Sequence, residues 1–299
     1  MSAVRTGPRA AILRWFHDHP RATGWALVAP GGLWLGVFFL APVLVMLAYS
    51  FMNRNALGGV AAGFTLEHYG RFFDPLYLKI LVRTTFSAFG CTVICLLLGY
   101  PMAYVVSRAT RWRNLLMFLV VLPFWTSFLV RTFAMIFLMR DSGLINSFLA
   151  KLGLIDPDYP IQMLYTPFAV MTGLVYGFLP FMVLPIYASL EKLDPALLEA
   201  AEVLGARPLA RFFRITLPLS MPGVVAGSLL VFIPALGSFL TSDLLGGAKQ
   251  IFLGNLVQNQ FTSARNWPFG SAASFVLMSL VLVAVSIYLR VRDQDEAMR

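Results

Sequence analysis

The chain has 299 residues, of which 59% are hydrophobic and 12% are charged, whereas soluble domains are about 45–50% apolar and about 25% charged. So few charges cannot cover the surface of a soluble protein of this size, and so high an apolar content excludes a disordered chain. The formal net charge is +9, a basic surplus that must be tested as membrane orientation before nucleic-acid binding is considered.

Six apolar stretches are long enough to cross about 30 Å of hydrocarbon, which takes roughly 20 residues each. They predict an all-α integral membrane protein with six transmembrane helices, at 25–51, 80–106, 115–139, 164–190, 222–245 and 271–289. The first stretch is too long for a signal peptide and lacks a nearby cleavage site, so we expect it to remain as a span. Prolines inside the spans predict kinked but continuous helices, because neighbouring helices satisfy the freed backbone groups.

The connecting segments differ in charge, which predicts the orientation. One side carries fourteen of the 23 Lys and Arg residues: Arg5, Arg9, Arg14, Arg21, Arg108, Arg111, Arg113, Lys192, Arg207, Arg211, Arg214, Arg290, Arg292 and Arg299. Because cytoplasmic loops are enriched in Lys and Arg, we predict that both termini are cytoplasmic, with segments at 1–24 and 291–299 flanking a membrane domain at 25–290. Topology then accounts for much of the surplus, and no nucleic-acid partner is expected.

The cysteine and histidine residues indicate neither a metal site nor a disulfide framework. Cys91 and Cys95 fall on one face of the second span, where we expect them to pack as small apolar groups. His17, His19 and His68 are scattered outside the spans, so we predict that they lie at the surface.

Residues 190–221, between the fourth and fifth spans, have the pattern of two short helices and are called the elbow below. Asp194 and Pro195 predict a helix start, and Gly205 predicts its left-handed stop. A second helix is expected from near Pro208 to before Pro218. Its basic stripe is Arg207, Arg211 and Arg214, with Leu209, Phe212, Phe213 and Thr216 opposite. From this pattern alone two interpretations stay open: an amphipathic linker on anionic headgroups, or a docking element.

The amino-acid sequence of the elbow resembles the EAA motif of permease subunits of binding-protein-dependent ABC importers. The matching residues are Glu199, Ala200, Ala201, Gly205, Ile215, Leu217 and Pro218. The resemblance implies a type I ABC importer permease fold with a cytoplasmic coupling helix that docks in a groove of an ATPase. It also implies two ATPase copies, a second permease subunit, a periplasmic or extracellular solute-binding protein and a bacterial inner-membrane location. ATP and Mg²⁺ belong to the ATPase, so no cofactor is expected in this chain.

Further stretches between about residues 25 and 290 resemble permeases of polyamine (spermidine/putrescine) importers. They are 122–127, 130–132, 175–176, 179–182, 184–187, 231–235, 243–247, 254–255 and 265–268. This resemblance implies polyamine uptake across the inner membrane by alternating access. The wider subfamily includes permeases for other small organic solutes, such as amino-acid-like or opine-like compounds and phosphonates, and these stay alternatives.

Ionisable side chains inside spans are expensive and mark functional candidates. Arg131 and Asp243 lie at similar depths, so we expect either a structural ion pair or an Asp243 carboxylate that meets an ammonium group in the path. Aromatic rings suit both the methylenes and the ammonium groups of a polyamine. The remaining candidates for the path are Phe124, Trp125, Phe128, Tyr176 and Ser238, the last at a position where relatives often carry an acidic or large residue.

Two other classes of function are alternatives to an ATPase-driven permease. An intramembrane enzyme needs convergent polar groups at depth, such as paired Asp or a His-Glu-x-x-His helix, and no span supplies them. A self-sufficient carrier or channel needs coupling-ion groups or a polar pore, and has no use for an ATPase-docking elbow. Because the sequence has no G-x-x-x-x-G-K-[ST] phosphate loop, ATP hydrolysis is assigned to a separate protein and the chain is not expected to be an enzyme.

Overall fold

Helices make up nearly all of the regular structure in the computed structural model, which describes residues 20–56 and 58–297. The α-helices are α1 Pro20–Leu35, α2 Ala41–Ser50, α3 Glu67–Gly70, α4 Pro75–Arg108, α5 Arg113–Val121, α6 Phe128–Met139, α7 Leu144–Lys151, α8 Pro167–Glu191, α9 Pro195–Val203, α10 Pro208–Arg211, α11 Leu217–Gly237, α12 Leu240–Gly246, α13 Leu253–Phe261 and α14 Trp267–Ala297. Strands β1 (Asn53–Arg54) and β2 (Val60–Ala61) form a small antiparallel hairpin. The predicted all-α class is confirmed.

Some predictions lie outside the described residues. They concern most of the cytoplasmic segment at 1–24, with Arg5, Arg9, Arg14, His17 and His19, and also Arg299 at the other end of the chain.

The predicted spans agree with the helices that are long and apolar enough to cross a membrane. Five continuous helices pass this test: Leu27–Ser50, Pro75–Arg108, Pro167–Glu191, Pro208–Gly237 and Trp267–Ser286. A bent helix pair supplies a sixth crossing if it is counted as one span. The six predicted positions are therefore occupied, although two of the spans differ in shape from the prediction.

The third predicted span, 115–139, is broken rather than kinked. Helical segments Arg113–Trp125 and Phe128–Lys151 meet at 93°. Pro123 lies in a single 3₁₀ turn just before the break, and Ser127 is extended with ψ of 137°. Proline removes one backbone donor and crowds the preceding turn, and here the chain leaves the helix instead of bending within it.

The fifth predicted span, 222–245, is also interrupted. Its helix ends at Gly237, Ser238 is extended with ψ of 110°, and α12 begins as a separate short helix at Leu240. Pro234 remains inside the helix, as predicted, and Pro222 also lies inside it. The interruption therefore lies at the glycine that ends α11, a residue type common at helix C-termini, and not at either proline.

Helices α4, α8 and α11 pack together as the core of the bundle. Small residues permit their close approach, since Gly99 of α4 and Gly227 of α11 both lie against Met182 of α8. Cys91 and Cys95 are fully buried in this core as free thiols, which agrees with their predicted packing role.

The first span stands apart from this core. None of the apolar window in Leu27–Ser50 is buried within the chain, and its packing is largely that of α2 against α14. Its apolar side chains are thus left for lipid or for another protein.

His68 corrects one prediction, because it is buried rather than at the surface. It is 5% exposed, and its Nε2 lies 3.0 Å from the carbonyl oxygen of Met52. The imidazole lies beside the ring of Phe269, in an apolar cluster between α3, α4, α13 and α14. Sequence alone does not show this cluster, because its members come from opposite ends of the chain.

Candidate coupling surface and substrate path

The first elbow helix, α9, starts and stops at the predicted residues. The Asp194 carboxylate accepts a hydrogen bond of 2.9 Å from the backbone N–H of Ala196. Gly205 has φ of +78°, and its N–H donates back to the carbonyl of Glu202 at 2.9 Å. Glycine adopts this left-handed conformation without steric cost, which gives the elbow its sharp bend.

The second elbow helix corrects the prediction that it ends before Pro218. A π-helical turn at Phe212–Thr216 joins α10 to α11, so Pro208–Gly237 is one continuous helix of 30 residues. The wider turn gives the ring of Pro218 room against the preceding carbonyls. The wider turn also changes which side chains of the predicted apolar face are buried. Phe212 packs edge-on against Tyr100, whereas Phe213 is exposed.

The elbow presents an exposed surface at this end of the bundle. Glu199 and Ala200 are exposed, whereas Ala201 is buried against the rest of the chain. Val203 and Leu204 are 88% and 86% exposed. Leu209 and Phe213 add further exposed apolar surface. Covering one such side chain fully is worth about 1.5–3 kcal/mol, so this surface favours binding of another protein.

The other predicted coupling residues lie where the elbow joins the bundle. Ile215 and Leu217 are half-buried and Pro218 is exposed. Just beyond them, the hydroxyls of Ser220 and Tyr100 lie 2.8 Å apart in the interior, which ties α11 to α4.

An ion pair and a hydrogen bond beside the elbow, which together form a polar tie between α5 and α8, were not predicted from the sequence. Arg113, at the start of α5, forms an ion pair with Glu191 at the end of α8, and its Nε donates to the Tyr187 hydroxyl at 2.5 Å. A small cavity of about 150 Å³ beside this tie is also lined by Pro195 and Thr216 of the elbow. The only hint in the sequence was the acidic Glu191 at the end of an apolar run.

Arg131 lies among three aromatic rings rather than against a carboxylate. Its guanidinium carbon is 5.9, 5.8 and 5.9 Å from the ring centres of Phe124, Phe128 and Tyr176. Its Nε and Nη1 atoms are buried and have no hydrogen-bond partner within the described part of the chain. These three rings are called the aromatic cage below. The cage and Arg131 together comprise four of the residues predicted to line the path.

The possible ion pair between Arg131 and Asp243 is not formed within residues 20–56 and 58–297. Asp243 is exposed on α12 and lines an open cleft of about 850 Å³ together with Arg140 and Lys249. The side chain of Arg131 instead turns toward rings on α6, α8 and the preceding 3₁₀ turn. The structural ion pair was therefore a wrong alternative.

Trp125 and Ser238 lie at the two helix breaks but outside the cage. Trp125 is 76% exposed and packs edge-on against Phe118 at 5.9 Å. The Ser238 hydroxyl donates to the Thr241 hydroxyl at 3.2 Å across the second break.

Two residues of α13 contact the chain at the second break, between α11 and α12. Both belong to the stretch 254–255 that resembles polyamine permeases, but the sequence did not indicate this structural role. Asn255 donates to the carbonyl of Phe239 at 3.0 Å and accepts from the N–H of Phe252 at 3.1 Å. A Cβ on Gly254 would lie 2.7 Å from the carbonyl oxygen of Gly237. The broken end of α11 is thus buttressed by a segment that follows it in the chain.

Comparisons with known proteins agree with this arrangement. Residues 95–293 match the family described as the binding-protein-dependent transport system inner membrane component. The spermidine/putrescine transport system permease protein PotB of Haemophilus influenzae is 46% identical over 258 residues, covering 86% of this chain and 90% of that protein. PotB of Escherichia coli is 45% identical over 258 residues, covering 86% of this chain and 93% of PotB.

Solved structures share the fold. A chain of a bacterial ABC transporter involved in the import of the acidic polysaccharide alginate aligns with a TM-score of 0.67 at 19% identity, covering 93% of this chain and 99% of that one. The predicted type I ABC importer permease fold is therefore confirmed. The chain belongs to the family of inner-membrane components of binding-protein-dependent transport systems, which are multi-pass permease subunits of ABC importers and not enzymes.

Proposed function

We propose that this chain is a permease subunit of an importer for polyamines, such as spermidine or putrescine, driven by a separate ATPase. The observation that carries the proposal is the 46% identity to a spermidine/putrescine permease across 86% of the chain. The cation-holding aromatic cage favours the same class of substrate. Uptake of another small organic solute by the same machinery is the alternative.

In this proposal the elbow is the surface that binds the ATPase. Glu199 offers a charge to a polar or cationic group on the ATPase, and the exposed Ala200 permits close approach. Val203 and Leu204 supply apolar contact area. Two ATPase copies bind one elbow each, one on this chain and one on a second permease subunit. Both termini are cytoplasmic, and a solute-binding protein delivers substrate on the opposite side.

The path for the substrate is proposed to run past the aromatic cage and the Asp243 cleft. ATP binding closes the ATPases and opens this path outward, and hydrolysis returns it inward. The interrupted helices suit this role, because irregular backbone at membrane depth is tolerated where it lines a cavity. Trp125 and Ser238, which lie at the two breaks, are included in the path.

Reconstitution tests the proposed function directly. Proteoliposomes that contain this chain, a partner permease and the ATPase are expected to accumulate radiolabelled spermidine when they are supplied with binding protein and enclosed ATP. Vesicles that contain the purified chain alone are expected to accumulate none. Uphill accumulation by the chain alone would refute ATPase coupling, and accumulation of a different solute by the full complex would refute the polyamine assignment.

Asp243→Ala is expected to lower spermidine uptake at least tenfold while the complex still assembles. Asp243 shares its cleft with Arg140 and Lys249, so its removal leaves two cations that repel an incoming ammonium group. The measurement is the initial rate of uptake into proteoliposomes. Asp158→Ala, which removes an exposed carboxylate from a loop outside this cleft, is the control and should leave the rate unchanged.

A second substitution separates electrostatics from structure at this cleft. Adding Lys249→Gln to Asp243→Ala removes one of the two repelling charges, and part of the uptake rate should return. The backbone carbonyl of Lys249, which accepts from Arg83, is retained in this variant. No recovery would mean that Asp243 does not act through its charge.

A further inference from the structure

The walls of the aromatic cage are held in place by the rest of the chain. Phe124 packs edge-on against Phe181 at 4.9 Å. Phe128 lies close over Gly177, where an added Cβ would come within 3.4 Å of the ring. Tyr176 precedes this glycine in the middle of α8, and its side chain is 42% exposed. The cage is therefore a preformed feature of two helices and a turn.

The Arg131 guanidinium occupies this cage without a carboxylate or carbonyl to hold it there. Its buried Nε and Nη1 have no acceptor among the described residues, so ring faces stand where hydrogen-bond acceptors are usual. Three rings within 6 Å of one cation form the arrangement that recognises organic ammonium ions. An ion pair or a network of hydrogen bonds would anchor the arginine, whereas ring faces accept any cation of suitable size.

We propose that the aromatic cage is a binding site for an ammonium group of the substrate, and that Arg131 fills it while substrate is absent. The inference rests on the proposed function, since it requires a substrate with organic ammonium groups. Two cations in van der Waals contact repel strongly in a site of low dielectric constant, so the cage holds one at a time. The arriving ammonium group therefore displaces the guanidinium, whose flexible stem lets it swing aside.

This exchange makes Arg131 a competitor for its own substrate. Because the guanidinium occupies the cage, an ammonium group binds there only by displacing the arginine. Removing the arginine charge should consequently strengthen substrate binding, the opposite of what is expected for a residue that binds substrate or supports the fold.

The test is equilibrium binding of radiolabelled spermidine to the purified complex of this chain with its partner permease and ATPase, without the binding protein. Arg131→Met keeps an unbranched side chain but removes the cation that competes for the rings, and it should bind spermidine about tenfold more tightly than the wild type. Arg131→Lys keeps a cation available to the rings and should bind with wild-type affinity. Adding Phe124→Leu to Arg131→Met removes one wall and should abolish the gain.

Other outcomes overturn the proposal. Equal or weaker binding by Arg131→Met means that the cage is not a substrate site, and loss of the partner permease from that variant on size exclusion means that Arg131 instead binds an acceptor on the partner. If Arg131→Met fails to fold, Arg131→Gln provides the same comparison. Failure of the proposed function is distinct, because it appears as absent spermidine uptake by the complete wild-type system.

Discussion

Gly205→Val should reduce the amount of ATPase that copurifies with this chain by roughly ten- to a hundredfold. Gly205 has φ of +78°, a conformation that costs a β-branched residue about 1–3 kcal/mol. Relief of that strain requires a negative φ, which turns α9 away from its position beside the following helix. The measurement is the ratio of ATPase to tagged permease after affinity purification, together with ATP-driven uptake in vesicles.

Gly153→Val is a closely matched control for this prediction. Gly153 has φ of +69°, ends α7 in the same way that Gly205 ends α9, and like Gly205 has open space where a Cβ would be placed. It lies outside the elbow, so equal backbone strain there should leave the ATPase bound. Loss of the ATPase from both variants, or from neither, would contradict a specific role for the bend at Gly205.

The second large effect is expected from Gly223→Ala, which should lower the free energy of unfolding by about 3 kcal/mol. A Cβ at Gly223 of α11 would lie 2.5 Å from both the Pro185 carbonyl oxygen and the Ser189 hydroxyl oxygen of α8. The carbonyl belongs to the backbone and cannot rotate away, so the two helices must separate. Thermal unfolding of the purified complex, followed by intrinsic fluorescence, should show a midpoint about 10 °C lower.

Gly90→Ala makes the same chemical change within α4, and it isolates the effect of the helix crossing. The added Cβ there meets only the flexible end of Met171, at 3.4 Å. Its midpoint should stay at or slightly above that of the wild type, because alanine favours the helix more than glycine does. A similar loss in both variants would indicate that the α8–α11 contact is not especially tight.

Local chemistry in the sequence was sufficient to predict the spans and the elbow. An apolar run of about 20 residues has the length that a membrane span needs. An aspartate followed by proline favours the start of a helix through local contacts alone. The breaks were not predictable in this way. Pro180 and Pro185 remain inside α8, whereas the chain leaves the helix after Pro123. A proline alone therefore does not distinguish a kink from an interruption.

What determines the second break lies far from it in the sequence. Asn255 and Gly254 meet the end of α11 only after the chain has passed through α12 and a loop, so their role depends on tertiary contacts. The environment of Arg131 likewise depends on tertiary contacts. Depth along a helix suggested Asp243 as its partner, but the direction of the side chain is decided by rings that α8 brings beside it.

The π-helical turn has a mechanical consequence. Because it joins the elbow to the fifth span without a loop, Pro208–Gly237 forms one rod about 45 Å long. One end of this rod lies in the elbow, and the other stops at the gap beside Ser238. A loop in this place would absorb a displacement of the elbow by flexing, whereas a continuous helix converts it into a tilt that also moves the end beside Ser238.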